Sequence, residues 1–132
     1  MKIEDHLINI NNSIETINEC IQKDVIKRQR TIAFNISVTV AEMLELYLHK
    51  NNLINPGTMI KHEMFNSIQR VQEFLNFEFN NKEKIIELYN KIEKLRNILC
   101  YGKPQQEEKI KEMIELFNEV KNIFEKEGIK WN

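Results

Sequence analysis

Apolar positions recur at gaps of three and four along most of the chain, the mark of helices with one buried face. Ile3, Leu7, Ile10, Ile14, Ile17 and Ile21 alternate gaps of four and three, a heptad seam that predicts a first helix over residues 3–27. Asn9, Asn11, Asn12 and Asn18 are poor helix formers, so this helix depends on a packing partner. A seam this short suits either an ordinary bundle helix or a helix–helix dimer contact. A second helix is predicted over residues 31–51, where Ala33, Ile36, Ser37, Val40, Ala41, Leu44, Tyr47 and Leu48 fill a wide apolar arc. Its small residues, Ala33, Ser37 and Ala41, recur every four positions and let another helix come close. Glu42, Glu45 and His49 share the opposite face; carboxylates and a His on one stripe could bind a metal, but a solvated face is the expected reading.

Asn55-Pro56-Gly57 marks the clearest turn. Beyond it, Thr58 is placed to cap a third helix over residues 59–77, with Met64, Phe65, Ile68, Val71, Phe74 and Leu75 as apolar positions. Phe74, Phe77 and Phe79 are expected to complete the core before a break at Asn80-Asn81. A fourth helix is predicted over residues 82–100 and a fifth over 105–127, the latter with Ile110, Met113, Ile114, Phe117, Val120, Ile123 and Phe124 in register. Glu107 and Glu108 favour its positive end, and Gly128 is a plausible stop. Trp131 is expected to pack on the bundle or to mark an interface.

The expected architecture is an all-α antiparallel bundle of about five helices, forming a single domain over residues 1–132. Three glycines, two prolines and no hairpin dipeptide argue against strands. Charge is balanced at a net −1, so no overall basic character points to nucleic acid. Cys20 and Cys100 are too few and too far apart for a disulfide framework or a zinc motif. No signal peptide and no apolar run long enough to cross a bilayer are evident, so a cytoplasmic protein without a membrane partner is expected. No histidine has a glutamate three residues before it, which excludes the Glu-x-x-His pairs of di-iron bundles; no metal and no cofactor is expected. Glycine-rich phosphate loops and nucleophile elbows are absent. Cys100 reads as a small buried apolar residue rather than a nucleophile. The basic cluster Lys27-Arg28-Gln29-Arg30 reads as a solvated junction or a phosphate contact.

The most informative stretch is 95–104. Ile85, Leu88, Tyr89, Ile92, Leu95 and Leu99 fall on one helical face, and Arg96 projects from the same arc. A guanidinium there is satisfied by a core carboxylate, by carbonyls at a helix end, or by an anion. Gly102 is expected as a left-handed cap, and Pro104 prevents the helix from continuing. Tyr101 then stands in the last turn beside Arg96.

The run Arg96-Asn97-Ile98-Leu99-Cys100-Tyr101-Gly102 resembles the signature of the HEPN family (higher eukaryote and prokaryote nucleotide-binding domains). That signature is an Arg followed, after four to six residues, by a His. Arg96 matches the Arg, Asn97 the polar residue that often follows it, and Gly102 a common follower; Tyr101 stands in place of the His. Some branches carry Asp-Tyr-Gly here, and only Cys100 departs from that pattern. The small-residue run from Ala33 to Glu42 resembles the helix before the family's acidic position, and Lys61-His62 resembles the start of its third helix.

The resemblance implies a helical bundle and, in active members, metal-independent RNA cleavage in a cleft between two protomers. The Arg holds the scissile phosphate, for which its planar fork is suited. A phenol has an ordinary pKa of about 10 and makes a poor base at neutral pH, but it can donate a hydrogen bond or stack on a base. By resemblance, Arg96 and Tyr101 are the catalytic candidates, and Arg96, Asn97, Tyr101 and Lys103 the RNA- or nucleotide-binding candidates. The same resemblance implies a homodimer and a nucleotidyltransferase partner in a toxin–antitoxin pair. The competing reading is a structural helical module that associates with proteins and takes no ligand.

Overall fold

The computed structural model describes residues 1–131. All regular structure among them is helical: α1 (Ile3–Asp24), α2 (Gln29–Lys50), a 3₁₀ turn (His62–Asn66), α3 (Ile68–Phe74), α4 (Lys82–Tyr101) and α5 (Glu107–Lys126). The expected all-α bundle is present.

α2 is the central helix and touches α1, α4 and α5. Contacts made by side chains, to other side chains and in one case to a backbone carbonyl, fix the directions. His6 and Asn9 meet Glu45 and Glu42, so α1 and α2 run antiparallel. Cys100 meets Arg30 and Glu93 meets Ser37, so α4 and α2 do too. Ala33 and Ser37 are fully buried, and the hydroxyl of Tyr89 donates to the Ser37 carbonyl. The small residues thus bring α4 close to α2, as the four-residue spacing implied.

The α1 seam is only partly used in the core. Ile10 and Ile17 are buried, Leu7, Ile14 and Ile21 are half-buried, and Ile3 is exposed. α1 ends at Asp24, whose carboxylate accepts the Lys27 amide, so the helix stops three residues earlier than its periodicity suggested. α2 begins at Gln29. The Gln29 side chain is buried, donating to the Ile26 and Gln105 carbonyls and accepting the Gln105 amide. α2 is long and apolar enough to cross a membrane by length and composition, contrary to the sequence expectation, but most of it lies inside the bundle. Glu42 and Glu45 interrupt the apolar run and hide it from a simple reading.

The predicted third helix over 59–77 does not form as such. Glu45 accepts the Ile60 amide at 2.7 Å, and Lys61 remains extended. The chain then makes the 3₁₀ turn, which seats Phe65 in the core, stacked on Tyr89 at 3.9 Å. Ser67 starts α3 afresh by accepting the Arg70 amide. Restarting at Ser67 resets the helical phase: Val71 and Leu75 are buried, while Ile68 and Phe74 are exposed. Phe77 and Phe79 pack on the core edge.

The predicted face of α4 is buried throughout, Arg96 included. Gly102 is not a left-handed cap: its φ of −91° and ψ of −175° are extended. Its small size matters instead, because a Cβ there would lie 2.8 Å from the Ile98 carbonyl oxygen. Gly128 does stop α5 with a φ of +92°. Trp131 packs edge-on against Phe124 and donates to Glu125.

Candidate functional site

Arg96 is 5% exposed, yet it lies on the wall of a surface cleft of about 560 Å³. Lys27, Arg30, Thr31, Phe34, Asn35, Cys100 and Tyr101 complete the lining. The cleft forms where the N-terminal end of α2 meets the C-terminal end of α4. The two helix dipoles oppose one another there, so side chains set the charge. Three of those side chains are cationic, and none of the lining residues is acidic.

The guanidinium of Arg96 sits between two aromatic rings, with its carbon 5.5 Å from the centre of Phe34 and 5.5 Å from that of Tyr101. Both rings are largely open to solvent, at 51% for Phe34 and 73% for Tyr101. One terminal nitrogen donates to the Tyr101 hydroxyl at 3.4 Å, a long bond, and Nε has no partner. Neither satisfier expected for a purely structural Arg is present: among the described residues no carboxylate pairs with it and no helix-end carbonyl accepts from it. Burial opposes its charge, but the Tyr101 hydroxyl, Cys100 and Glu93 outweigh that and hold its pKa above the usual arginine value. The site therefore keeps a permanent, under-bonded cation between two flat apolar faces.

Of the sequence-derived candidates, Arg96 and Tyr101 come together in this cleft. Asn97 points elsewhere, donating to Asn66 on the 3₁₀ turn, and Lys103 is exposed beyond the helix end without lining the cleft. Phe34, Thr31 and Asn35 were not singled out. Phe34 was legible in principle, as an exposed aromatic four residues from Arg30 on the face away from the α2 core. Lys27 and Arg30 belonged to the basic junction and prove to share the cleft with Arg96. Cys100 is buried, which pushes its thiol pKa up and makes it a poor nucleophile.

A second polar layer lies deeper. Glu93, with no exposed surface, accepts from the Ser37 hydroxyl and pairs with His62 Nδ1 at 3.1 Å. It ties the 3₁₀ turn to α2 and α4 and sets one turn of helix behind Arg96. A third layer corrects the expectation of a solvated face on α2. Glu45 and His49 are covered by α1, where His6 meets them.

No family model, curated protein or solved structure matches the chain significantly.

Proposed function

We propose that the cleft around Arg96 binds the phosphate of RNA or of a nucleotide, and that the chain is a HEPN-like protein with weak or degenerate ribonuclease activity. The observation that carries this reading is the under-bonded guanidinium between two exposed aromatic rings, with Lys27 and Arg30 on the same wall and no acid among them. A phosphate would receive the fork of Arg96, and neighbouring bases would stack on Phe34 and Tyr101. Lys27 and Arg30, more than Asn97 and Lys103, would supply the remaining positive charge. Tyr101 in the place of the family His favours binding over cleavage. The motif resemblance further supports a twofold homodimer and a cytoplasmic toxin–antitoxin pairing with a nucleotidyltransferase.

Titration of the protein with labelled single-stranded RNA and with ATP tests this. Saturable binding that Arg96→Met weakens at least tenfold supports the reading; no binding to either ligand refutes it in favour of a structural helical module. Light scattering across micromolar to near-millimolar concentrations tests the dimer, and a monomer mass throughout counts against it.

A further inference from the structure

Away from the Arg96 cleft, α1 and α2 bring together three side chains whose free atoms face one point. They are His6 on α1, and Glu45 and His49 one turn apart on α2. One ligand atom from each of the three lies within 4.8 Å of the other two. His6 Nε2 is 3.0 Å from Glu45 Oε2, and His49 Nε2 is 3.9 Å from that same oxygen. His6 is 1% exposed, and neither Nε2 atom has a hydrogen-bond partner. The 3.0 Å approach is close, but it lacks hydrogen-bond alignment.

The outer contacts explain the arrangement. His6 Nδ1 lies 3.1 Å from Glu42 Oε1, and that oxygen also accepts from Asn9 at 3.0 Å. A carboxylate at Nδ1 draws the ring proton there and leaves the Nε2 lone pair free, the usual support for a metal-bound imidazole. Glu45 Oε1 is occupied by the Ile60 amide at 2.7 Å, which leaves Oε2 as the oxygen turned toward the two histidines. A protonated His6 paired with both glutamates is the alternative arrangement, but it leaves the buried Nε2 of His49 without a partner.

We propose that His6, Glu45 and His49 bind one divalent transition-metal ion of the Zn²⁺ class. Two imidazoles and one carboxylate form a known ligand set for that ion. Ligand atoms about 2.0–2.1 Å from a tetrahedral ion stand roughly 3.4 Å apart, within the range spanned by the present separations. His6 and Glu45 also line a cavity of about 370 Å³ bounded by Ile60, Lys61 and His62, which gives an ion or a water access to the site. The metal would fasten α1 to α2, the central helix of the bundle, on which α1 packs.

The probe is Co²⁺, added to full-length protein first stripped with a chelator, followed by competition with Zn²⁺. The expected result is a visible tetrahedral Co²⁺ spectrum that saturates at one ion per chain and is bleached by Zn²⁺. His49→Ala should abolish that spectrum. Glu42→Gln, which leaves all three ligands in place, should weaken binding by about 10–100-fold. Circular dichroism identifies variants that remain folded. A folded wild type that gives no saturable Co²⁺ spectrum overturns the proposal whatever the variants do, and so does unchanged affinity in a folded His49→Ala.

Discussion

The Tyr89 hydroxyl donates a 2.7 Å hydrogen bond to the backbone carbonyl of Ser37, joining α4 to α2 inside the core. Burial raises the Tyr89 pKa well above that of an ordinary phenol, and the Glu93 carboxylate pushes the same way, against a smaller opposing effect of the Ser37 bond. The unfolded chain loses this proton near pH 10, while the folded chain holds it. Stability from this group is therefore complete below about pH 10 and declines as pH rises from there toward the folded value. Tyr47 and Cys100 shift upward as well and add to the decline. Tyr89→Phe should lose about 0.5–1.5 kcal/mol at neutral pH and show a shallower alkaline decline than wild type. Urea denaturation at neutral and at alkaline pH measures both. Parallel alkaline declines in the two proteins would mean that Tyr89 does not set the slope.

Arg96 has no ion-pair partner among the described residues, and its Nε is unsatisfied, so the fold gains little from its charge. Replacing such a cation by an apolar residue of similar length is often neutral or stabilising. Arg96→Met should leave the melting temperature unchanged or slightly raised. The same change should cost about 1.5–3 kcal/mol in affinity for RNA or nucleotide, tenfold or more. A variant that unfolds while the wild type binds nothing would mark Arg96 as structural.

Salt dependence separates phosphate contacts from stacking. If Lys27, Arg30 and Arg96 each neutralise a phosphate, log affinity for single-stranded RNA should fall against log salt with a slope of about −2, from about −0.7 per phosphate. Arg96→Met should make that slope shallower by about 0.7. Phe34→Ala should lower affinity by about 1–3 kcal/mol without changing the slope. A wild-type slope near zero would remove phosphate from the account.

The architecture was legible where one face of a helix does one job. The α4 face from Ile85 to Leu99 and the small-residue stripe on α2 both read correctly, because burial follows helical spacing there. The segment after Gly57 did not, because its conformation is set by partners distant in sequence. Glu45 fixes the Ile60 amide, and Phe65 is held by Tyr89, so no local period records either. The histidine–glutamate layer was misread for a related reason: Glu42, Glu45 and His49 look like a wet face until α1 lays His6 over them. In the cleft, Arg96 and Tyr101 were visible through their motif. Phe34 was not, because pairing residue 34 with residue 96 depends on the antiparallel register of α2 and α4.

Tyr101 allows a gain-of-function test of the family resemblance. Its ring stands beside the guanidinium, with the hydroxyl within reach of it. A phenol donates readily but accepts a proton poorly at neutral pH, whereas an imidazole does both. The wild type should therefore cleave RNA feebly or not at all in the presence of a chelator. Tyr101→His should raise cleavage, and the double change with Arg96→Met should abolish the gain. Denaturing gels of end-labelled RNA give the readout. Vigorous metal-independent cleavage by the wild type, lost in Arg96→Met, would show that the tyrosine itself serves the reaction.

Gly102 controls where Tyr101 stands. Its amide donates to the Ile98 carbonyl at 3.1 Å, and a Cβ would lie 2.8 Å from that same oxygen. The obstructing atom is backbone, so no side-chain rotation relieves the clash; the last turn of α4 must shift. Gly102→Ala should therefore destabilise the protein by about 1–3 kcal/mol, the usual range for an overpacked position. It should also weaken ligand binding, because Tyr101 is the preceding residue and moves with that turn. Gly57→Ala is the matched control: nothing lies within 4 Å of its added Cβ. Replacing glycine at an unhindered loop position changes stability by less than about 1 kcal/mol, often favourably. Urea midpoints and RNA titrations of the two variants should diverge, with only the residue 102 variant losing both stability and affinity. Equal behaviour would show that the turn can adjust and that the short approach to Ile98 does not constrain the cleft.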